Sequence, residues 1–221
     1  MTVTERRSFL QRLAAGALAL AASPVAARAA SAAPASPSPL AEWDEKWMDA
    51  LAGKYRQFFD LSAVRDAGVL TPVRNFYNAY RDAYGTRDSD VNAVVGLHGG
   101  AAAMAFTDSA WARFRLGQQS NITDDATRAP ALANIFLAPA APFTPDTGVT
   151  ALQGRGAVFC LCNNSLARIT RLLEAGGYGK ADALRAELLG QHLVPGVVLV
   201  PAMMVTANRL QMRGVSYLKL G

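Results

Sequence analysis

The chain has few of the residues from which covalent cross-links and metal centres are made. Its 221 residues include two cysteines, Cys160 and Cys162, and two histidines, His98 and His192. In a regular strand the β-carbons of Cys160 and Cys162 would lie about 6.6 Å apart, whereas a disulfide requires about 3.8 Å. A bridge between them therefore needs a kink in the strand. The domain must rely on a hydrophobic core, which its length and its 51% hydrophobic content can supply.

Several binding and catalytic motifs are absent as well. The Gly99-Gly100 pair lacks the further glycine of a dinucleotide-binding loop, and no G-x-S-x-G elbow occurs. Ser165 and Asp108 do not complete a hydrolase triad. The net charge is +5, but four arginines and one glutamate before position 30 account for +3 of it and leave +2 for the rest. Because no Lys/Arg cluster follows, we expect no nucleic-acid partner. We also expect no cofactor.

The first 29 residues have the pattern of a twin-arginine (Tat) export signal. Arg6 and Arg7 precede the apolar run 13–22, which is too short to span a bilayer, since a spanning helix needs about 20 apolar residues. Cleavage is expected after Ala29 or Ala32, each of which ends a small-residue site. The sequence therefore predicts interaction with the Tat translocase, a periplasmic location and no stable membrane span after cleavage.

Residues 30–41 are rich in Ala, Pro and Ser and are predicted to be a linker. Residues 42–221 then alternate strand and helix patterns. Strands are predicted at 54–61, 91–98, 156–161, 194–200 and 215–220, with helices at 43–51, 72–84, 101–106, 108–116, 165–175, 180–189 and 203–213. This alternation predicts one α/β domain whose sheet is mostly parallel, with helices on both faces and the last strand at an edge. Residues 117–148 form an irregular insertion.

Both cysteines lie where a buried strand gives way to a helix. Ligands bind at this edge in open α/β sheets, and the positive end of a helix favours a thiolate. Cys162 is therefore a candidate nucleophile, with Asn163 and Asn164 as hydrogen-bond donors to its anion. Cys160 should face the same side of the strand, as a resolving thiol. The alternative for each thiol is packing as a small hydrophobic side chain in the core.

His98 ends the second strand and is a candidate base or partner of a thiolate. With Cys160 and Cys162 it could also form a three-ligand site for Cu(I) or zinc. The alternative is a strand-end histidine that is hydrogen-bonded to a backbone carbonyl. His192 follows a helix in a loop and is predicted to face solvent. Gly99 is a further candidate contact for substrate.

Three segments share an order with a known family. They are Gly156-Ala157-Val158-Phe159-Cys160-Leu161-Cys162-Asn163-Asn164-Ser165-Leu166, then residues 197–200 followed by Leu210-Gln211, Gly214 and Tyr217, and Val94-Val95-Gly96-Leu97-His98-Gly99. They resemble the DsrE-like proteins, small α/β sulfur-relay proteins of the DsrE, DsrF and YchN group, over most of residues 52–220. The resemblance implies a three-layer, flavodoxin-like domain of about five strands, frequent homo-oligomers, and a persulfide on Cys162.

Three hypotheses about function follow. The leading one is an exported sulfur carrier or sulfurtransferase in which Cys162 takes sulfur from a donor and passes it to an acceptor protein. The second is a non-enzymatic module of the same fold that binds a small ligand or a partner, in which the cysteines are buried and unreactive. The third is a metal-binding protein that uses His98, Cys160 and Cys162.

Overall fold

The computed structural model describes residues 43–64, 66–124 and 126–220. The predicted export signal and linker lie outside these residues. In the part of the chain that is described, no helix combines the length and the apolar character that crossing a membrane requires.

The core of the molecule is a five-stranded parallel sheet. Its strands are β1 (Tyr55–Leu61), β2 (Val91–Leu97), β3 (Val158–Cys162), β4 (Val198–Val200) and β5 (Ser216–Leu220), in the order β4-β3-β2-β1-β5. The predicted α/β fold class, three-layer and flavodoxin-like, is confirmed, and so is the edge position of β5. Strand β4 is shorter than predicted because Gly196 takes a positive φ of 79° and Val197 closes a turn onto Val194.

Helices surround the sheet on both faces. They are α1 (Lys46–Asp49), α2 (Thr71–Tyr84), α3 (Asp108–Phe114), α4 (Leu116–Gln119), α5 (Val149–Gly154), α6 (Asn163–Ala175), α7 (Ala181–Gln191) and α8 (Met203–Met212). Two predictions need correction. The first helix is one turn rather than residues 43–51, and the stretch predicted as helix at 101–106 is a 3-10 helix, Gly99–Ala105.

The two faces of the sheet have different covers. From β1 to β4, each strand is added to the sheet on the same side of the strand before it. The connection through α8 then runs back across the sheet and places β5 on the other side of β1. Because such crossovers are right-handed, a change of direction moves the connecting helix to the opposite face. Helices α2, α3, α6 and α7 therefore bury the larger cluster, around Phe59, Val95 and Phe159. Helices α1 and α8 bury a smaller one, around Phe58 and Val94.

The described residues of the segment 117–148, the predicted insertion, are mostly irregular, yet they contribute to the core. Phe136 is fully buried, with its ring centroid 6.0 Å from that of Trp111. The side-chain amide of Asn134 donates to the carbonyls of Met104 (3.0 Å) and Phe106 (2.6 Å). These contacts fix the insertion on the side of the larger cluster.

An arginine clamp joins the segments at the amino edge of the sheet. The Nε and Nη2 atoms of Arg155 donate to the two carboxylate oxygens of Asp88 at 2.7 and 2.9 Å, and Nη1 donates to Asn78 Oδ1 at 2.8 Å. The guanidinium also lies 4.7 Å above the centre of the Tyr77 ring. This clamp connects helix α2, the turn before β2 and the turn before β3.

Candidate functional site

A buried carboxylate lies at the carboxyl ends of β1 and β2. Asp60 is the second-last residue of β1, and strand alternation turns its side chain toward the face that α8 covers. Its Oδ1 atom is 2.8 Å from His98 Nε2, and its Oδ2 atom accepts a hydrogen bond of 2.7 Å from the Tyr217 hydroxyl. The Asp60 side chain is 12% exposed and that of His98 27%. Strands β1 and β5 and the residue that follows β2 thus supply one polar cluster.

The cluster opens into a cavity of about 380 Å³ between the sheet and α8. Its lining residues are Asp60, His98, Met203, Met204, Ala207, Asn208, Gln211 and Tyr217. We call this cavity the Asp60 pocket. Asn208 and Gln211 lie three residues apart on α8, so their amides share one side of the helix. The pocket therefore combines an apolar wall, two amides and one carboxylate.

The close approach of α8 to the sheet depends on Gly96. This residue is the β2 neighbour of Asp60 in the sheet. A β-carbon at Gly96 would lie 2.5 Å from the Met203 sulfur and 2.6 Å from the ring of Phe58. Any side chain there would displace Met203 and Phe58, so the glycine allows Met203 to pack directly over β2.

The hydrogen bonds of the cluster determine which atoms can meet a ligand. The bond to Asp60 raises the pKa of the Tyr217 hydroxyl, so Tyr217 remains a donor. Because the carboxylate only accepts, a neutral His98 carries its proton on Nε2, and Nδ1 is then an acceptor. Within the described residues, Nδ1 has no hydrogen-bond partner. This pattern of an acid that orients a histidine resembles the arrangement in which an imidazole serves as a base.

The cysteines lie beneath this surface rather than on it. Both are free, Cys160 is completely buried, and Cys162 is 4% exposed. Burial raises the pKa of the Cys160 thiol far above its ordinary value. The two thiols share the smaller cluster with Phe58, Val94 and Met203. They face the same side of the strand, as expected, and occupy core positions. Cys162 immediately precedes α6.

The predicted substrate contacts are dispersed. The Gly99 amide donates to Ser165 Oγ at 3.0 Å, and Gly99 lines a separate cavity of about 220 Å³ beside α4 and α6. Asn163 Oδ1 is buried without a hydrogen-bond partner in the described residues, and Asn164 is exposed. Of the predicted site residues, only His98 is among those that line the Asp60 pocket.

His98 is thus paired with a carboxylate, not with the thiols. Among the residues that the structure describes, no three His, Cys, Asp or Glu side chains are grouped as metal ligands. The trio of His98, Cys160 and Cys162 is therefore not assembled as a metal site.

The prediction that His192 faces solvent is wrong. Its side chain is 11% exposed, with Nδ1 3.0 Å from Ser109 Oγ and Nε2 3.4 Å from Glu187 Oε1. An isolated antiparallel β-bridge between Phe106 and Leu193 holds this loop against the core. The imidazole packs edge-on against the Phe114 ring.

Sequence reasoning missed Asp60 and Tyr217. A signal for Asp60 was present, because an aspartate inside the apolar strand Phe58-Phe59-Asp60-Leu61 is rare in both strands and cores. Tyr217 gave no such signal, since a tyrosine is an ordinary residue in an edge strand.

Comparison with known proteins yields little beyond this geometry. No family model matches the chain, and no curated protein matches it. The solved structure of MTH1491, a protein of unknown function from Methanobacterium thermoautotrophicum, is similar at 19% sequence identity. The match covers 75% of this chain and 98% of that chain, with a TM-score of 0.38.

Proposed function

We propose that the chain is a DsrE-like module that binds a small molecule in the Asp60 pocket. One observation carries the proposal: a buried carboxylate uses its two oxygens to hold His98 and Tyr217 at the wall of a cavity. A buried charge that no arginine or lysine neutralises costs free energy of folding. Such a charge beside a cavity is typical of a binding site.

The pocket chemistry supports a ligand with an apolar part and a polar end. Met203 and Ala207 provide apolar contact, while Asn208 and Gln211 offer amide donors and acceptors. The cavity of about 380 Å³ falls within the size range of small-molecule sites.

An NMR screen of a fragment library against the wild-type domain tests this proposal. Hits should shift the side-chain amide signals of Asn208 and Gln211 and the imidazole signals of His98. Asp60→Asn should weaken these hits, while the matched control Asp146→Asn, at an exposed carboxylate, should not. Hits that never shift these signals, or that are equally tight in Asp60→Asn, would contradict the proposal.

A sulfur carrier that uses Cys162 is the second candidate. It is favoured by the position of Cys162 directly before the thirteen-residue helix α6. The thiolate would attack the outer sulfur of thiosulfate, which forms Cys162–S–S⁻ and releases sulfite, and an acceptor thiolate would then take the outer sulfur. Met203 packs in the same buried cluster as Cys162 and also lines the Asp60 pocket.

Intact-mass spectrometry after exposure to thiosulfate or polysulfide tests the sulfur carrier. A reducible sulfur adduct should form on wild type and on Cys160→Ala, and should be absent from Cys162→Ser. If wild type forms no adduct, or if Cys162→Ser forms the same one, the carrier mechanism is wrong.

We also propose export through the Tat pathway, which the paired Arg6 and Arg7 support. Replacing both with lysine should leave the precursor in the cytoplasm, and cell fractionation measures this. If the double variant still reaches the periplasm, this route is wrong. A homo-oligomer and a protein partner for sulfur transfer stay predictions from the sequence.

A further inference from the structure

We infer that the Asp60 pocket selects organic cations, namely primary ammonium groups on short alkyl chains, over anions of the same size. The inference deepens the proposed function and rests on it. It goes further because it specifies the charge of the ligand, which pocket size and location leave open.

The charge of the lining is the first argument. Asp60 is the one carboxylate among the described lining residues, and none of them is lysine or arginine. Lys219 is the register partner of Asp60 on β5, but it is exposed and is not a lining residue. The described lining residues therefore bring one carboxylate and no lysine or arginine into a partly buried setting, where charge interactions are stronger than in water.

Two arginines in and directly after α8, Arg209 and Arg213, are already paired with carboxylates. Arg209 donates to Glu45 through Nε at 3.1 Å and Nη2 at 2.5 Å. Arg213 Nη2 lies 3.5 Å from Glu45 and 3.8 Å from Asp49. These pairs hold both guanidinium groups on the α1 side of the helix. Neither arginine is among the residues that line the pocket.

The hydrogen-bonding inventory is the second argument. Each Asp60 oxygen makes one hydrogen bond within the described residues, and a carboxylate oxygen can accept two. In the neutral tautomer His98 Nδ1 adds an acceptor, and the carbonyl oxygens of Asn208 and Gln211 add two more. An ammonium group has three donors and no acceptor, so it matches this set. A carboxylate or sulfonate ligand could use the N–H donors of Asn208 and Gln211 but would face the like charge of Asp60.

The same charge bears on sulfur delivery. Thiosulfate and polysulfide are anions, and the Asp60 pocket would present them with a carboxylate. A small sulfane anion would therefore have to approach Cys162 by a route other than this pocket, which separates the carrier hypothesis from the pocket.

Three probes of equal length and different charge test the inference: n-butylammonium, n-butanol and butyrate. Each is titrated into the wild-type domain at neutral pH and constant ionic strength, because salt screens charge. The signals followed are those of the Asn208 and Gln211 amides and the His98 imidazole. We expect butylammonium to bind at least about tenfold more tightly than butyrate, with butanol between them.

Asp60→Asn removes the charge at almost constant shape and should reduce the ratio of butylammonium to butyrate affinity to about one. Asp146→Asn should leave the ratio unchanged. The wild-type titrations decide the matter even if Asp60→Asn fails to fold, because they compare charges in one protein.

Butyrate binding as tight as butylammonium would overturn the inference, as would butanol binding equal to butylammonium. In either case the alkyl probes would still occupy the pocket, and the proposed function would stand. If none of the three probes shifts the pocket signals, the cation inference fails. The proposed function fails with it only if the wider fragment library also leaves those signals unchanged.

Discussion

The two histidines of this chain both meet carboxylates, but their surroundings differ. His192 uses both ring nitrogens, toward Ser109 and Glu187, and packs against Phe114 with 11% of its side chain exposed. Within the part of the chain that the structure describes, His98 uses only Nε2, toward Asp60, and it is 27% exposed at the wall of the Asp60 pocket. The His192 ring is enclosed by the fold, while the His98 ring has Nδ1 without a hydrogen-bond partner among those residues.

The carboxylates that hold the two rings differ in the same way. Glu187 lies 2.6 Å from Arg113 and is thus neutralised by a cation. Asp60 has no arginine or lysine among its ion pairs in the described chain. A neutralised carboxylate beside a fully bonded ring is a structural arrangement. A carboxylate that has no arginine or lysine partner beside a cavity costs stability, which fits the binding role proposed for Asp60.

Glycine substitutions near each histidine should give the largest difference in unfolding free energy between two variants. Gly96→Ala forces a methyl group into Met203 and Phe58, and overpacking of this kind costs about 1–3 kcal/mol of unfolding free energy. Gly190→Ala, in the helix that leads to His192, meets no atom within 4 Å and should stabilise by about 0.5–1 kcal/mol. Urea denaturation measures both. Equal stability of the two variants would contradict the close packing of Met203 over β2.

Removal of each imidazole should have the next largest effect. His192→Ala loses the buried packing of the ring against Phe114 and the hydrogen bonds to Ser109 and Glu187, so we expect about 2 kcal/mol of destabilisation. His98→Ala should change the unfolding free energy by less than about 1 kcal/mol, because Tyr217 still donates to Asp60. Both values come from the same denaturation experiment. A larger loss for His98→Ala would reverse the assignment of structural and binding roles.

The fold could be predicted from the sequence because its signals are local. Apolar runs at 54–61 and 91–98 and the alternation at 215–220 identify strands, and crossover handedness then places helices on both faces. The shared face of Cys160 and Cys162 follows from the two-residue period of a strand.

The polar cluster could not be predicted because it depends on register. Asp60 is 38 residues from His98 and 157 from Tyr217 in the chain, and only the pairing of β1 with β2 and β5 brings them together. The burial of His192 depends likewise on a long-range bridge, Phe106 to Leu193, that no local pattern indicates.

Chemical modification should distinguish the two rings directly. Diethylpyrocarbonate reacts with an unprotonated imidazole nitrogen, and the chain has two histidines, so each adduct can be assigned by peptide mass. We expect His98 to react at least about tenfold faster than His192, since the enclosed ring needs local opening first. Ser109→Ala removes the hydrogen-bond partner of His192 Nδ1 and should reduce the difference between the reaction rates of the two histidines. Equal rates in the wild type would contradict the difference in accessibility between the two rings.

The smallest effect should come from acid titration of a carboxylate that, unlike Asp60, has an arginine partner. Hydrogen bonds from Arg155 hold the pKa of Asp88 below its usual 3.8. A carboxyl whose pKa is lower in the folded state contributes stability above its unfolded pKa and loses that contribution as the pH falls through the folded value. We therefore compare, for each protein, the unfolding free energy below about pH 4 with its own value at neutral pH. This decrease should be larger for wild type than for Arg155→Met.

Arg171→Met, at an exposed arginine on α6, is the control, and its decrease should equal that of wild type. Denaturation across an acid pH series measures all three proteins, and parallel curves for wild type and Arg155→Met would show that the clamp acts by packing alone.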